Sequence, residues 1–109
     1  MTDNQLATLL PLFQALSDAT RLRLVGILAA EARTGEQLAA DVGLSPSTVS
    51  HHLKRLSELG LVTARVDGHY HVYSLQTERL AEMSDLLGQA TAAASGSSML
   101  DEPWIRRGR

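Results

Sequence analysis

LSPSTVSHHLKRLSELGLV, residues 44–62, reads as a short helix carrying its own start and stop signals. Ser45 is a good N-cap, because its hydroxyl accepts a hydrogen bond from an otherwise unpaired first-turn amide. Pro46 follows at the first helical position, where a missing N–H and a fixed φ cost nothing. Val49, Leu53, Leu56 and Leu59 recur at steps of four, three and three, forming one apolar face. Gly60 supplies the stop. The opposite face holds Ser47, Thr48, Ser50, His51, Lys54 and Arg55, with no acid before Glu58. Small hydroxyls allow close approach to a major groove, and Lys or Arg meets phosphates or guanine edges. Polar faces are also the ordinary state of surface helices. The face alone therefore leaves both readings open.

What precedes this helix sharpens the choice. Thr34 to Val42 reads as another helix, with Thr34 and Gln37 spaced as a capping box and Leu38, Ala39 and Val42 on its apolar side. Gly43 ends it, and only Gly43 and Leu44 separate it from the Ser45 cap. Two helices joined by a tight Gly-containing turn form a helix-turn-helix, which holds its second helix proud of the body.

After residue 61 the period changes. Val62, Ala64 and Val66 alternate with Thr63 and Arg65, then Asp67-Gly68 precedes HYHVYSL. Asp-Gly between alternating runs predicts a hairpin with those two residues as its loop. That loop sets Val66 opposite His69, Ala64 opposite His71 and Val62 opposite Tyr73. A hairpin directly after a helix-turn-helix is a wing, whose tip (Arg65, Asp67, Gly68, His69) reaches a minor groove or the backbone. Its plainer role is to cover the core through Val62, Val72 and Tyr73.

Toward the N-terminus, Leu6, Leu9, Leu10, Phe13 and Leu16 recur at helical spacing within 5–16, with Pro11 predicting a kink or a late start. Ser17-Asp18 reads as a break and a new cap. A second helix over 19–30 places Leu22, Val25, Leu28 and Ala29 inward and Arg21 and Arg23 outward. The first helix has more apolar residues than one neighbour satisfies, so it lies in a larger core or faces a partner subunit. Thr77 caps a last helix to about residue 93, with Leu80, Met83, Leu86, Leu87 and Ala90 on one side. Residues 1–93 thus form the expected winged domain, and 94–109, small and polar and then holding Trp104 and a basic end, read as a flexible tail or the start of a linker.

The 109 residues are 44% hydrophobic and 20% charged, a globular composition that fits one domain. No cysteine is present, so disulfides and thiolate metal sites are excluded. No apolar run approaches a membrane span, and MTDNQ lacks the basic start of a signal peptide, so the expectation is a cytoplasmic chain with no membrane partner. Net charge is −2, but Lys54, Arg55, Arg65 and all four histidines cluster between residues 45 and 75. A locally cationic face on an acidic body still docks on phosphates.

The series helix, helix, helix-turn-helix, wing, helix, with ALSDATRLRLVGIL, LAADVGLSPSTVSHHLKRLSELGLV and DGHYHVYSL, resembles the ArsR/SmtB family of small repressors. The likeness covers roughly residues 6–90 and is carried most specifically by S-x-S-T-V-S-x-H-L-x-x-L-x-x-x-G-L-V. It implies a mainly α winged helix-turn-helix with a small β-hairpin, homodimeric through its first and last helices. It further implies a repressor that holds a palindromic double-stranded DNA operator until an inducer binds. The expected interface residues are Leu6, Leu9, Leu10, Phe13, Leu80, Met83 and Leu87. The expected DNA-binding residues are Ser45, Ser47, Thr48, Ser50, His51, Lys54, Arg55, Arg65 and His69.

The family's metal patterns are missing from this sequence. Where some members place a Cys-x-Cys pair, this chain has ARTG at residues 32–35. Where others use Asp and His on the last helix, this one offers Glu78, Glu82 and Asp85 without a histidine. His51 and His52 are sequence neighbours and diverge by about 100° on a helix, which is poor for joint chelation. His52 falls on the family's usual histidine position, where it packs and orients the helix. His69 and His71 share a strand face in the expected register, a pair more often simply wing surface than a metal clamp. The expectation is no metal, no cofactor and an inducer that no residue names.

Catalysis finds no footing. G-x-S-x-G and Gly-rich phosphate loops are absent, and Ser50 beside His51 lacks an orienting acid in sequence. Two non-enzymatic readings remain: a sequence-reading repressor, and a winged-helix protein-interaction module with weak or no DNA affinity.

Overall fold

The computed structural model describes residues 1–95, with side-chain surroundings given through residue 89. The expected tail, including Trp104 and the basic end, lies outside the described residues except for its first two positions, which continue the last helix. The elements are α1 (Asp3–Leu16), α2 (Ala19–Ala30), β1 (Arg33–Thr34), α3 (Gly35–Val42), α4 (Pro46–Glu58), β2 (Val62–Asp67), β3 (Tyr70–Leu75) and α5 (Thr77–Ser95).

Local capping chemistry starts most of the helices. Thr2 and Gln5 form a capping box on α1, two residues earlier than periodicity placed its start. Helix α1 then runs through Pro11 to Leu16, so the proline costs one backbone hydrogen bond and neither ends nor delays the helix. Asp18 caps α2, the Thr34–Gln37 box caps α3, and Ser45 caps α4 with Pro46 inside its first turn. Gly43 ends α3 in the left-handed conformation (φ 70°, ψ 31°), and its amide reaches the Ala39 carbonyl at 2.9 Å. No atom lies within 4 Å of a Cβ built at Gly43, so a side chain there meets only backbone strain. Gly43→Ala is expected to lower stability by about 1–2 kcal/mol, read as an earlier urea midpoint at unchanged m-value.

The three-stranded sheet has the order β1-β3-β2, all antiparallel. Two features depart from the sequence reading. The short strand β1 pairs Arg33 with Tyr73 and Thr34 with Val72, adding a third strand to the expected hairpin. The hairpin loop is Gly68-His69, so Val62 pairs with Leu75, Ala64 with Tyr73 and Val66 with His71. Gly68 takes φ +64° at the first loop position, the type II′ requirement. The expected Asp67-Gly68 loop would have put Asp67 at positive φ, and among the described residues no non-glycine adopts it. The correction is a shift of two, an even number, so the side chains that remain in the strands keep the sheet face they were assigned, while His69 moves into the turn.

The core joins all the helices to the base of the wing. Leu9 and Leu12 of α1, Leu24 and Leu28 of α2, Leu38 of α3, Val49, Leu53 and Leu56 of α4, Leu61, Val62 and Met83 are all buried. Three assignments of direction are corrected. Leu22 and Ala29 of α2 face outward, Leu22 being 55% exposed, while Leu24 takes the inward position. Arg21 is half-buried rather than outward, because its amide and guanidinium both approach Asp18. Helix α2 is apolar on most sides, so periodicity did not single out one face.

Candidate nucleic-acid interface

Helix α4 presents two faces set by one periodicity. Val49, Leu53 and Leu56 are each no more than 1% exposed, while Ser47, Thr48, Ser50, His51, Lys54 and Arg55 all face solvent. Ser45 Oγ accepts from the Thr48 amide at 3.2 Å and donates to Thr48 Oγ1 at 2.9 Å. These two hydroxyls are therefore engaged in the cap, ahead of any groove contact. Ser47, Ser50, His51 and Lys54 have no side-chain hydrogen bond or ion pair among the described residues. Spaced i, i+3, i+4 and i+7, they line one shallow depression along α4.

The wing stands beside this helix. Arg65 and Asp67 are both about two-thirds exposed and lie 4.0 Å apart across the outer side of β2. His69 sits in the hairpin turn and His71 within β3, so they are not the strand pair that a shared metal clamp needs. Among the described residues no group of three or more His, Cys, Asp or Glu is gathered as a metal site. Between the wing and the helix-turn-helix lies a cleft of about 250 Å³ bounded by Gly35, Glu36, Pro46, Val49, Ser50, His71 and Tyr73. Glu36, His71 and Tyr73 border this cleft beside α4, a placement that sequence reasoning missed. Glu36 reaches α4 through the packing of α3 in the helix-turn-helix, while His71 and Tyr73, distant in sequence, are brought there by β3.

Two polar contacts reach α4 from other helices. Midway along it, His52 Nδ1 lies 3.8 Å from Asp18 Oδ2, the carboxylate that caps α2. At its end, Arg79 Nε of α5 donates to the Leu59 carbonyl at 3.2 Å, a cation placed at a helix C-terminus. The hydrogen bond from the Arg21 amide holds the Asp18 carboxyl below the usual carboxylate range, helped by the His52 and Arg21 charges and the Thr20 amide. Desolvation opposes that shift. The carboxylate thus stabilises the fold above its unfolded pKa, and this contribution fades as pH drops through the lowered folded value.

The expected interface residues divide. Leu6, Leu10 and Phe13 on α1 are 49%, 47% and 41% exposed, at the i, i+4 and i+7 positions of one stripe. Leu87 is exposed on α5 and Leu80 half-buried. Leu9 and Met83, also assigned to the interface, are 2% and 5% exposed and packed in the chain's own core. They hold α1 and α5 to the core from beneath. Ala90 falls where side-chain surroundings are not described. Among the described residues no helix is long and apolar enough to cross a membrane.

This architecture has relatives. Residues 18–64 match the family model described as bacterial regulatory protein, arsR family. A probable mercury resistance operon repressor of Streptomyces lividans is 34% identical over 80% of this chain and 69% of its own length. An uncharacterized HTH-type transcriptional regulator of Mycobacterium tuberculosis, Rv0081, is 38% identical over 65% of this chain, and the match spans 63% of that relative. Among solved structures, the homodimeric winged helix-turn-helix DNA-binding domain of Mb0332 from Mycobacterium bovis superposes with a TM-score of 0.66. That likeness is 24% identical and covers 90% of this chain and 94% of the other. The helix-turn-helix with its wing, the family match and the S. lividans relative together make this chain a member of the ArsR family of bacterial regulatory proteins.

Proposed function

We propose that the chain is a homodimeric, sequence-reading transcriptional repressor that leaves a palindromic operator when an inducer binds. The observation that carries this reading is the uncommitted outward stripe Ser47, Ser50, His51 and Lys54 on the second helix of the helix-turn-helix. In a two-fold dimer the stripe occurs twice, and two such helices one helical turn apart match a palindrome. Ser50 and His51 meet base edges, while Lys54 and Arg55 meet phosphates. Arg65 and His69 extend the contact at the wing, with Arg65 drawn from its Asp67 partner to phosphate. The dimer is supported by the exposed Leu6–Leu10–Phe13 stripe and by the homodimeric assembly of the Mb0332 domain. With no cysteine in the sequence, the inducer is not one captured by thiolates. The work belongs in the cytoplasm, where the operator is.

Fluorescence anisotropy with duplex from the chain's own upstream region tests the reading. With Lys54, Arg55 and Arg65 from each subunit on phosphate, about six counterions are displaced, and affinity falls roughly thousandfold between 50 and 200 mM salt. Lys54→Ala is expected to weaken all duplexes alike and reduce the log–log salt slope by about two per dimer. Ser50→Ala and His51→Ala are expected to change which bases are preferred, with the slope intact. A protein-interaction module would instead show no salt-dependent binding and no effect of any of these substitutions.

A further inference from the structure

Asp18 occupies the corner where α1 ends and α2 begins, and it touches α4 as well. Its Oδ2 accepts the Arg21 amide at 2.9 Å, with Arg21 Nε at 3.8 Å and His52 Nδ1 at 3.8 Å from the same oxygen. The Asp18 and His52 side chains are only 34% and 23% exposed. Helices α2 and α3 and strand β2 all pack on α4, yet among the described residues no second carboxylate comes within ion-pair distance of His52. Arg21 is the one other charged group on that carboxylate. At 3.8 Å the imidazole and carboxylate are too far apart for a hydrogen bond, so the attraction is between charges and requires a protonated ring. Histidines change charge between about pH 5 and 8.

The position of this contact gives it a consequence. Helix α1 carries the stripe assigned to the partner subunit, and α4 carries the stripe assigned to DNA. Asp18 lies between them, and His52 is flanked by His51 and lies two residues beyond Ser50. We infer that Asp18 and His52 form a proton-dependent tie holding α4 in its DNA-reading attitude, with Asp18 a positioning residue for DNA binding. The inference rests on α4 being the reading helix. When the ring is neutral the tie is absent, α4 samples other attitudes, and apparent affinity falls in proportion to the competent fraction. A tie that acted on stability alone would lower the melting temperature and leave the affinity of the folded dimer untouched.

The full chain, Asp18→Asn, His52→Gln and the double variant are titrated into duplex from the upstream region at pH 6 and pH 8. Sedimentation confirms the same oligomeric state throughout. Asparagine still caps a helix but carries no charge, so Asp18→Asn removes the tie and keeps α2 started. His51, His69 and His71 remain in every protein, so their shared pH effect cancels. The wild-type chain is expected to lose about three- to fivefold more affinity between pH 6 and pH 8 than any variant, the range of a partly exposed ion pair. The double variant is expected to match the singles. One common pH slope for all four proteins overturns the tie, as does an Asp18→Asn defect of equal size at both pH values that persists in the His52→Gln background. If Asp18→Asn does not fold, the slope of His52→Gln decides alone, since that change leaves the cap in place. A wild-type chain that binds no duplex at either pH overturns DNA reading itself, and the tie with it.

Discussion

Phe13→Glu is expected to leave the chain monomeric at micromolar concentration and to abolish tight operator binding. Phe13 is 41% exposed at the end of a stripe that includes Leu6 and Leu10, so in the proposed dimer it meets a surface of similar chemistry. An aromatic anchor desolvated at an interface typically costs at least 2 kcal/mol on truncation, and a two-fold interface contains it twice. A carboxylate in its place adds the cost of desolvating a charge. The sum, about 4 kcal/mol or more, weakens dimerisation by roughly a thousandfold. Operator affinity then falls further than any loss at the stripe on α4 produces, because each monomer engages one half-site. Sedimentation velocity gives the mass, and anisotropy on the full palindrome against a single half-site gives the binding. The monomer should bind both duplexes equally weakly. A Phe13→Glu protein that sediments as a dimer removes α1 from the interface. Since Phe13 faces outward, its loss leaves the chain's own core intact, and the circular dichroism spectrum should remain helical.

The same stripe shows why some of this protein was readable in its sequence and some was not. Capping signals are local, and the Thr34–Gln37 box and the Ser45 cap with Pro46 behind it placed α3 and α4 within a residue. The Thr2–Gln5 box has the same form as the Thr34–Gln37 box and marks the start of α1 just as locally. Direction was harder. Helices α1 and α2 have apolar residues on most sides, so Leu9 and Leu22 were each given the wrong surroundings: Leu9 is core and Leu22 is surface. Packing, which no local rule supplies, makes that choice. Strand β1 is two residues long, too short for a period, and exists because β3 offers an edge to Arg33 and Thr34. The hairpin register turned on which of two adjacent pairs forms the loop, and the conformational freedom of Gly68 settled it for Gly68-His69. The polar stripe on α4 was fully legible, because its spacing and the absence of acids are properties of a single helix. The approach of Asp18 to His52, 34 residues apart, was not. Each residue had been given a role alone, as cap and as helix-orienting histidine, and only the packing of α2 on α4 joined them.

Leu53→Ala is expected to lower stability by about 2–5 kcal/mol while leaving operator affinity almost unchanged below the melting transition. Leu53 is 1% exposed and sits mid-helix among Leu38, Leu56 and the other core residues. Its truncation removes apolar contacts and leaves a cavity that the surrounding side chains fill only in part. For a domain of this size each kcal/mol corresponds to about 4–8 °C, so the melting temperature should fall by roughly 10–40 °C. Because dimerisation contributes to apparent stability, both proteins must be compared at one protein concentration. Lys54, the next residue, should behave in the opposite way: Lys54→Ala weakens DNA binding and shifts the melting point by little, since an exposed cation without a partner contributes little to folding. Adjacent positions on one helix thus separate folding from recognition, as a two-faced helix requires. The assignment of faces fails if Leu53→Ala, measured well below its transition, loses as much operator affinity as Lys54→Ala. It fails equally if Lys54→Ala lowers the melting temperature as far as Leu53→Ala does.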